Sequence, residues 1–120
     1  MLDLTRYHIF MSVYRQLDCR EEIELKSYMP SKLDMKNLTT FFYAFSDDTR
    51  LKIIMLLSIK PLCVGGIAQV LNQNQTTVSH QLKILKSINI VSCDRSGKNI
   101  VYYIKNPSIE TVLNATVDCI

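Results

Sequence analysis

The sequence predicts a mainly helical α+β domain that carries one small β-hairpin. Apolar residues recur at the three- and four-residue spacing of amphipathic helices over most of the chain. Around residues 90–104 the pattern changes to two short β-branched and aromatic runs that flank a glycine, which is typical of a hairpin. A length of 120 residues suits one ordinary domain. We place this domain at 31–120, and an N-terminal helical extension with a dimerisation role at 1–30.

The extension has an interrupted helical pattern. Asp3 can cap a first helix. The apolar stripe of that helix consists of Phe10, Val13, Tyr14 and Leu17. Apolar character resumes at Ile23, Leu25 and Tyr28. The pattern stops at Pro30, because the residue before a proline disfavours the helical conformation. We expect one long or two short helices here, which pack or dimerise rather than form a site.

Two helices are predicted in the first half of the domain. Ser31 and Asp34 form an S-x-x-D helix start. Four large apolar residues follow at helical spacing, which predicts that they are buried: Leu38, Phe41, Phe42 and Phe45. The polar residues 46–48 break this helix and cap a second one at 49–58. The predicted buried positions of the second helix are Leu51, Ile54, Met55 and Leu57.

The centre of the chain predicts two helices joined by a tight turn. The first covers 63–71, with an apolar stripe of Val64, Ile67, Ala68 and Leu71. The turn is 72–74, and Asn74 is a favourable N-cap for the second helix, which runs to Lys86. The narrow apolar stripe of the second helix is Val78, Leu82 and Leu85. Two short helices joined by three or four residues are typical of a helix-turn-helix.

The second of these helices also carries a polar face, which consists of Gln75, Thr76, Ser79, His80 and Lys83. Short hydrogen-bonding side chains with a basic residue at one end suit the major groove of DNA, where base edges offer paired donors and acceptors. The alternative is the solvated face of an ordinary amphipathic helix. The neighbouring segments decide between the two.

A predicted β-hairpin follows the polar-faced helix. Its strands are expected at 90–94 and 100–104, with a turn at 95–99 around a glycine. Arg95 and Lys98 make the tip basic, so the hairpin can act as a wing that reaches phosphates or a minor groove, unless it is simply a soluble tip. A final helix is predicted at 108–118, with an apolar side of Ile109, Val112, Leu113 and Val117. This order of elements predicts a winged helix-turn-helix.

Positive charge is concentrated in the same part of the chain. The net charge is +3 overall. Residues 49–105 hold eight Lys and Arg residues and one acidic residue, Asp94, which gives this segment a net charge of +7. Such concentration on a small domain favours phosphate binding, and chance clustering on a solvated surface is the alternative.

Other classes of protein fit the sequence poorly. The apolar run at 53–57 is too short to span a bilayer, and the N-terminus lacks a signal-peptide pattern, so we expect no membrane association. Four scattered cysteines without a C-x-x-C pair favour free thiols in a reducing cytoplasm. Three glycines cannot build a glycine-rich phosphate loop, and no paired carboxylates are suggested, so we expect no enzymatic activity.

Four stretches resemble motifs of the ArsR/SmtB family of winged-helix repressors, in unbroken order over residues 37–118. They are FSDDTRLKI at 45–53, LCVGGIA at 62–68, QTTVSHQLKIL at 75–85 and GKNIVYY at 97–103. The corresponding family motifs are AL-(G/A)-D-x-T-R-L-x-I, E-L-C-V-C-D-L-A, S-x-S-T-V-S-H-H-L-K-x-L and G-R-x-V-Y-Y. Four motifs at matching spacing form a far more specific signal than any one of them.

The resemblance implies a homodimeric repressor that binds double-stranded DNA at an inverted-repeat operator and is released from it by an effector. The positions that would meet base edges are Gln75, Thr76, Ser79 and His80. Those that would meet phosphates are Lys83, Arg95 and Lys98. Physics agrees with a dimer, because one helix reads few base pairs, whereas two related by a twofold axis meet successive major grooves about 34 Å apart.

The chain departs from the family's metal-binding patterns. CVG at 63–65 stands where many metal sensors of the family carry C-x-C. The positions that correspond to ligands on the last helix hold Asn106, Ser108 and Cys119, so neither pattern is complete. Gln73 also occupies a turn position that is usually apolar in the family.

Cys63 is nevertheless a candidate sensor residue, because it lies near a helix N-terminus, where the dipole stabilises a thiolate. With Cys19 it could respond to a soft metal, a metalloid or a thiol-reactive compound. The alternatives are cysteines buried for packing in a repressor that has no metal effector, and a winged-helix module that binds another protein instead of DNA.

Overall fold

The computed structural model describes residues 16–119 of the chain. The chain divides into two units, one up to Asp34 and one from Met35 onward. The predicted start of the N-terminal extension lies outside the described residues, together with the apolar positions Phe10, Val13 and Tyr14. No helix in the range 16–119 is long and apolar enough to cross a membrane.

Helix α1 (Cys19–Tyr28) lies in the first unit. Asp18 caps it, because its carboxylate accepts a hydrogen bond from the N–H of Glu21 at 2.9 Å, and the Glu21 carboxylate accepts one from the N–H of Asp18 at 3.1 Å. This reciprocal pair is a capping box, which satisfies two amide groups at the helix start. Leu17, predicted to belong to the preceding stripe, lies in the non-helical residues before the cap.

Five further helices and three strands follow within the described residues. They are α2 (Lys32–Tyr43), α3 (Asp48–Ile59), β1 (Leu62–Cys63), α4 (Val64–Leu71), α5 (Gln75–Ser87), β2 (Val91–Ser96), β3 (Asn99–Ile104) and α6 (Ser108–Val117). The pair α4–α5 is the helix-turn-helix, and the β2–β3 hairpin is the wing. The predicted winged helix-turn-helix is confirmed.

The three strands form one antiparallel sheet in the order β1-β3-β2. In this sheet Tyr102 of β3 lies opposite Leu62 on one side and opposite Cys93 on the other. Strand β1 was not predicted, because two residues are too short to show the alternating pattern of a strand. Cys63 therefore ends a strand and occupies the N-cap position of α4, rather than the first turn of the helix as the sequence suggested.

The hairpin is tighter than predicted. Its strands extend to Ser96 and Asn99, so the turn contains only Gly97 and Lys98. Gly97 has φ +62°, which glycine tolerates and which the first central position of a type II′ turn requires. Arg95 consequently lies in β2, opposite Ile100, rather than in the turn.

The core of the second unit lies beneath α5. Val78, Leu82 and Leu85 are fully buried, as the sequence predicts. They join a cluster of aliphatic residues that includes Ile53, Ile54, Ile67, Ile90, Val91 and Ile109. Because one side of α5 is fixed in this core, its opposite side must face solvent.

The predicted core face of α3 is partly wrong. Ile54 and Leu57 are buried, but Leu51 is only half-buried and Met55 is 49% exposed. The buried stripe instead has the spacing i, i+3, i+4, i+7 and consists of Arg50, Ile53, Ile54 and Leu57. Apolar residues surround α3 on nearly every side, so their spacing alone could not select the core face.

In the aromatic cluster of α2 and on the apolar side of α6, some side chains are buried and others are exposed. Phe41 and Phe45 pack partly buried against the core, whereas Leu38 and Phe42 are exposed. In α6, Ile109 is buried, but Val117 is 64% exposed. The predicted burial of Leu38 and Phe42 is therefore wrong, and the predicted apolar side of α6 is buried only in part.

The start of α5 is fixed by its cap. The Asn74 Oδ1 atom accepts a hydrogen bond from the N–H of Thr77 at 2.7 Å, and the Asn74 carbonyl accepts from the N–H of Val78 at 3.2 Å. An Asn side chain in this position satisfies one of the amide groups that a helix start leaves without a partner.

Asn74→Ala should lower the free energy of unfolding by about 1 kcal/mol, because the Thr77 amide loses its side-chain acceptor. Asn74→Ser is the matched control, since serine also caps helices and should retain most of the stability. Urea unfolding at one fixed protein concentration measures both. Equal losses in the two variants would show that the cap contributes nothing.

Candidate nucleic-acid interface

The polar face of α5 consists of Gln75, Thr76, Ser79, His80 and Lys83, and all five residues are exposed. Thr76, Ser79, His80 and Lys83 lie on the side opposite the buried stripe. Gln75, the first helical residue, is exposed beside the stripe, and its side-chain amide lies near Gly65 of α4. Its side chains offer hydroxyl, amide and imidazole groups, and they end in one ammonium group. The residues predicted to meet DNA on this helix are therefore brought together on one solvent-facing surface.

The turn between α4 and α5 determines where α5 begins. Asn72 adopts the left-handed conformation with φ 52°, which ends α4. Gln73 donates from its backbone N–H to the Ala68 carbonyl at 3.1 Å and from its side chain to the Thr49 hydroxyl at 3.4 Å. The second of these hydrogen bonds joins the turn to the start of α3.

The wing adds two exposed cations, Arg95 in β2 and Lys98 in the turn. A third cation, Lys86, lies in the last turn of α5 and donates to Cys93 Sγ of β2 at 3.2 Å. This hydrogen bond, with the charge interaction between the two groups, raises the pKa of Lys86 above its ordinary value. The contact joins the end of α5 to the wing, and no local sequence pattern predicted it.

Two more residues were missed by sequence reasoning. Arg50 is 5% exposed, and its Nη1 donates to Gln81 Oε1 on α5 at 3.2 Å. Arg50 stands in phase with Ile53, Ile54 and Leu57, and this spacing was the available signal for its burial. The partner could not be found from local spacing, because Gln81 lies 31 residues further along the chain.

The sensor candidates lie at two helix starts. Cys63 is half-buried at the N-cap position of α4, and its side chain makes no capping hydrogen bond. Cys19 is the exposed first residue of α1. All four cysteines are free thiols. Within residues 16–119, no three His, Cys, Asp or Glu side chains gather closely enough to hold a metal ion.

A separate apolar groove lies between α3 and α6 in the second unit. Its volume is about 690 Å³. We call it the α3–α6 groove, and its lining includes Phe42, Phe45, Leu51, Met55, Ile59, Leu113 and Val117. Several of these side chains are the ones whose predicted burial is wrong. Exposed apolar side chains that lie together in this way mark a candidate binding surface.

The geometry of the second unit suits binding to a duplex better than chemistry on a small molecule. A convex row of hydrogen-bonding groups with nearby cations can meet base edges and phosphates. The segment 49–105 that carries these groups has a net charge of +7, from eight Lys and Arg residues and one acidic residue.

Comparison with known proteins agrees with this geometry. A family model described as "Bacterial regulatory protein, arsR family" matches residues 47–92. The chain is 34% identical over 89 residues to the cadmium resistance transcriptional regulatory protein CadC of Listeria innocua. That similarity covers 73% of this chain and 75% of the relative.

Solved structures give the same result. One neighbour is the homodimeric winged helix-turn-helix DNA-binding domain of a possible ArsR-family regulator from Mycobacterium bovis, with a TM-score of 0.66, 25% identity and coverage of 76% of this chain and 90% of that one. Another is the AntR antimony-specific transcriptional repressor, with a TM-score of 0.68, 27% identity and coverage of 74% and 81%.

Motif order, fold and overall similarity thus converge on one class of protein. The family model and the relatives are described as regulators of transcription, and this chain has a winged helix-turn-helix with an exposed polar face on its second helix. The chain belongs to the arsR family of bacterial regulatory proteins and is a winged helix-turn-helix DNA-binding regulator of transcription.

Proposed function

We propose that this regulator is a homodimeric repressor that reads an inverted-repeat operator with the polar face of α5. Gln75, Thr76, Ser79 and His80 meet base edges in the major groove. Lys83, Arg95 and Lys98 meet phosphates. The observation that carries this proposal is that all five residues are exposed, and that four of them, Thr76, Ser79, His80 and Lys83, lie opposite a stripe that is fully buried.

The division of roles follows from side-chain chemistry. Amide, hydroxyl and imidazole groups have directional donors and acceptors, which can distinguish one base pair from another. Lysine and arginine side chains on flexible stems neutralise phosphates regardless of sequence. Lys83 at the far end of the polar face, and the two wing cations, therefore supply affinity, whereas the start of α5 supplies selectivity.

The α3–α6 groove is the proposed dimer contact. Met55 is 49% exposed, Phe42 58% and Val117 64%, so this face leaves large apolar side chains in water when the chain is alone. A second copy of the chain can bury them, and the homodimeric relative from Mycobacterium bovis supports this arrangement. The N-terminal extension also exposes large apolar residues, Ile23, Leu25 and Tyr28, and we propose that it contributes to dimerisation.

We further propose that an effector reaches the thiol of Cys63 and releases the repressor from DNA. Two similar proteins are named for cadmium resistance and for antimony, and both elements bind thiolates. Within residues 16–119 no group of three or more metal-binding side chains includes Cys63, so an ion would need further donors from outside these residues, whereas a thiol-reactive compound would need Cys63 alone. Free cysteines suit a regulator that works in the reducing cytoplasm.

Lys83→Ala should weaken binding to all duplexes alike and reduce the slope of log K against log salt by about one, because one phosphate contact is lost. Gln75→Ala should instead change sequence preference, by about 1–3 kcal/mol at one base pair. The probes are duplexes selected by the wild-type protein from a random pool, and single-base variants of them. An equal loss on every duplex for both variants would contradict the division of roles.

Met55→Lys should convert the dimer to monomers at micromolar concentration, since the substitution would bury an unpaired charge in the interface at a cost of several kcal/mol. Val70→Lys is the matched control, because Val70 is 61% exposed and lies outside the α3–α6 groove. Sedimentation equilibrium measures both masses. A Met55→Lys protein that remains dimeric would exclude this groove as the interface.

Cys63→Ser should keep the protein on its selected duplex when cadmium(II), antimonite or iodoacetamide is added, because the reactive thiol is gone. The wild-type protein and a Cys119→Ser control should be released by at least one of these agents. Fluorescence anisotropy of the labelled duplex follows release. Equal release of the Cys63→Ser and wild-type proteins would remove Cys63 from the mechanism.

A further inference from the structure

Arg50 is the one charged residue that is buried within the described part of the chain, with 5% of its surface exposed. No carboxylate in residues 16–119 forms an ion pair with it, since the pairs found there are Lys26–Glu22 and Lys52–Asp48. The proposed contacts with DNA do not use Arg50. Its presence in the core therefore requires a separate explanation.

The guanidinium group of Arg50 joins two parts of the fold through neutral partners. Its Nη1 donates to Gln81 Oε1 on α5 at 3.2 Å. Its Nη2 donates to the Tyr43 carbonyl at 3.0 Å and to the Ser46 hydroxyl at 3.3 Å. The centre of the guanidinium group also lies 4.4 Å from the centre of the Tyr43 ring. One planar group thus bridges α5 and the corner at 43–46 where α2 ends.

Stability alone does not account for this residue. Burial of a charge without a counter-ion is unfavourable, and the buried Nε of Arg50 has no hydrogen-bond partner within the described residues. An apolar side chain of similar volume at such a position is often as stable or more so. The role of Arg50 is therefore to hold in place the groups that accept hydrogen bonds from its planar guanidinium group.

Arg50 joins α5 to the corner at 43–46, which lies beside the α3–α6 groove. A dimer that reads DNA must keep a fixed angle between these two parts. Gln81 follows His80 directly and lies on the half-buried flank of α5. On the other side, Phe42 directly precedes Tyr43 and Phe45 directly precedes Ser46, and both phenylalanines line the α3–α6 groove. If two copies meet at this groove, the angle between it and α5 determines whether the two helices enter successive major grooves.

We infer that Arg50 is a positioning residue for DNA recognition, whose bond to Gln81 fixes the rotation of α5 relative to the corner at 43–46. This inference rests on the proposed recognition face of α5. Hydrogen bonds to base edges are directional, so a small rotation of α5 weakens several of them together. Arg50 itself touches no DNA, and its effect on binding passes through Gln81.

The test compares Arg50→Met, Gln81→Leu and the double variant with the wild-type protein, using a duplex that the wild-type protein selects from a random pool. Each single variant should lose about tenfold in affinity, because the rotated α5 weakens directional contacts to base edges, and one good contact is worth about 1–3 kcal/mol. The double variant should lose no more than either single variant, since both remove the same bond. Arg50→Lys should not rescue binding, because a single ammonium group cannot replace the planar fork.

Two further readouts separate positioning from a purely structural role and from a phosphate contact. The urea midpoint of Arg50→Met should equal or exceed that of the wild-type protein. The salt slope of Gln81→Leu should be unchanged, whereas that of Lys83→Ala should fall by about one. If Arg50→Met fails to fold, the affinity and salt slope of Gln81→Leu decide the matter.

Wild-type affinity in both single variants, or losses that multiply to about a hundredfold in the double variant, would overturn the inference. Lys83→Ala distinguishes a failure of the inference about Arg50 from a failure of the proposed recognition face. If Lys83→Ala binds weakly while the Arg50 and Gln81 variants bind normally, only the inference about Arg50 fails. If Lys83→Ala also binds normally, the recognition face of α5 is wrong, and the inference fails with it.

Discussion

The burial of Val78, Leu82 and Leu85 is the interaction on which the DNA-reading surface depends. All three side chains are excluded from solvent. Burial of one such aliphatic side chain is worth about 1.5–3 kcal/mol, so a rotation of α5 that exposed them would be strongly unfavourable. The helical repeat then places Thr76, Ser79, His80 and Lys83 on the outward side. A polar surface is thus held rigidly by an apolar one on the other side of the same helix.

Local contacts at both ends of α5 add to this constraint. At the start, Asn74 caps the helix, and Gln73 ties the turn to α3 through Thr49. At the end, Lys86 reaches Cys93 of the wing. Each of these bonds is worth little alone, because folding exchanges hydrogen bonds with water for hydrogen bonds within the protein. Their value is geometric, since they fix where the helix begins and keep the hairpin beside it.

The sequence was most informative where polar and apolar residues alternate with a clear period. In α5, the stripe of Val78, Leu82 and Leu85 and the polar face on the other side could both be predicted. In α3, apolar residues surround the helix, so the prediction mistook Met55 for core, although it is 49% exposed. The spacing of apolar residues identifies an apolar face of a helix. It does not distinguish a face that is buried within the chain from one that is left exposed.

Other features depend on contacts between distant parts of the chain. Strand β1 has two residues, Leu62 and Cys63, and is defined by its pairing with β3 rather than by its own pattern. The bond from Arg50 to Gln81 spans 31 positions. The family resemblance included Arg50 within a motif but did not indicate that it is buried. Such features appear only when the chain is folded.

The most direct test of the account is a dimethyl sulfate footprint on a duplex selected by the wild-type protein, because this reagent reports the guanine N7 atoms of the major groove. Two copies of α5 held by their buried stripes should protect two segments whose centres lie about 10 base pairs, one helical turn, apart. Protection of a single segment, or a tight complex that leaves all N7 atoms reactive, would contradict the claim that paired polar faces of α5 read the DNA.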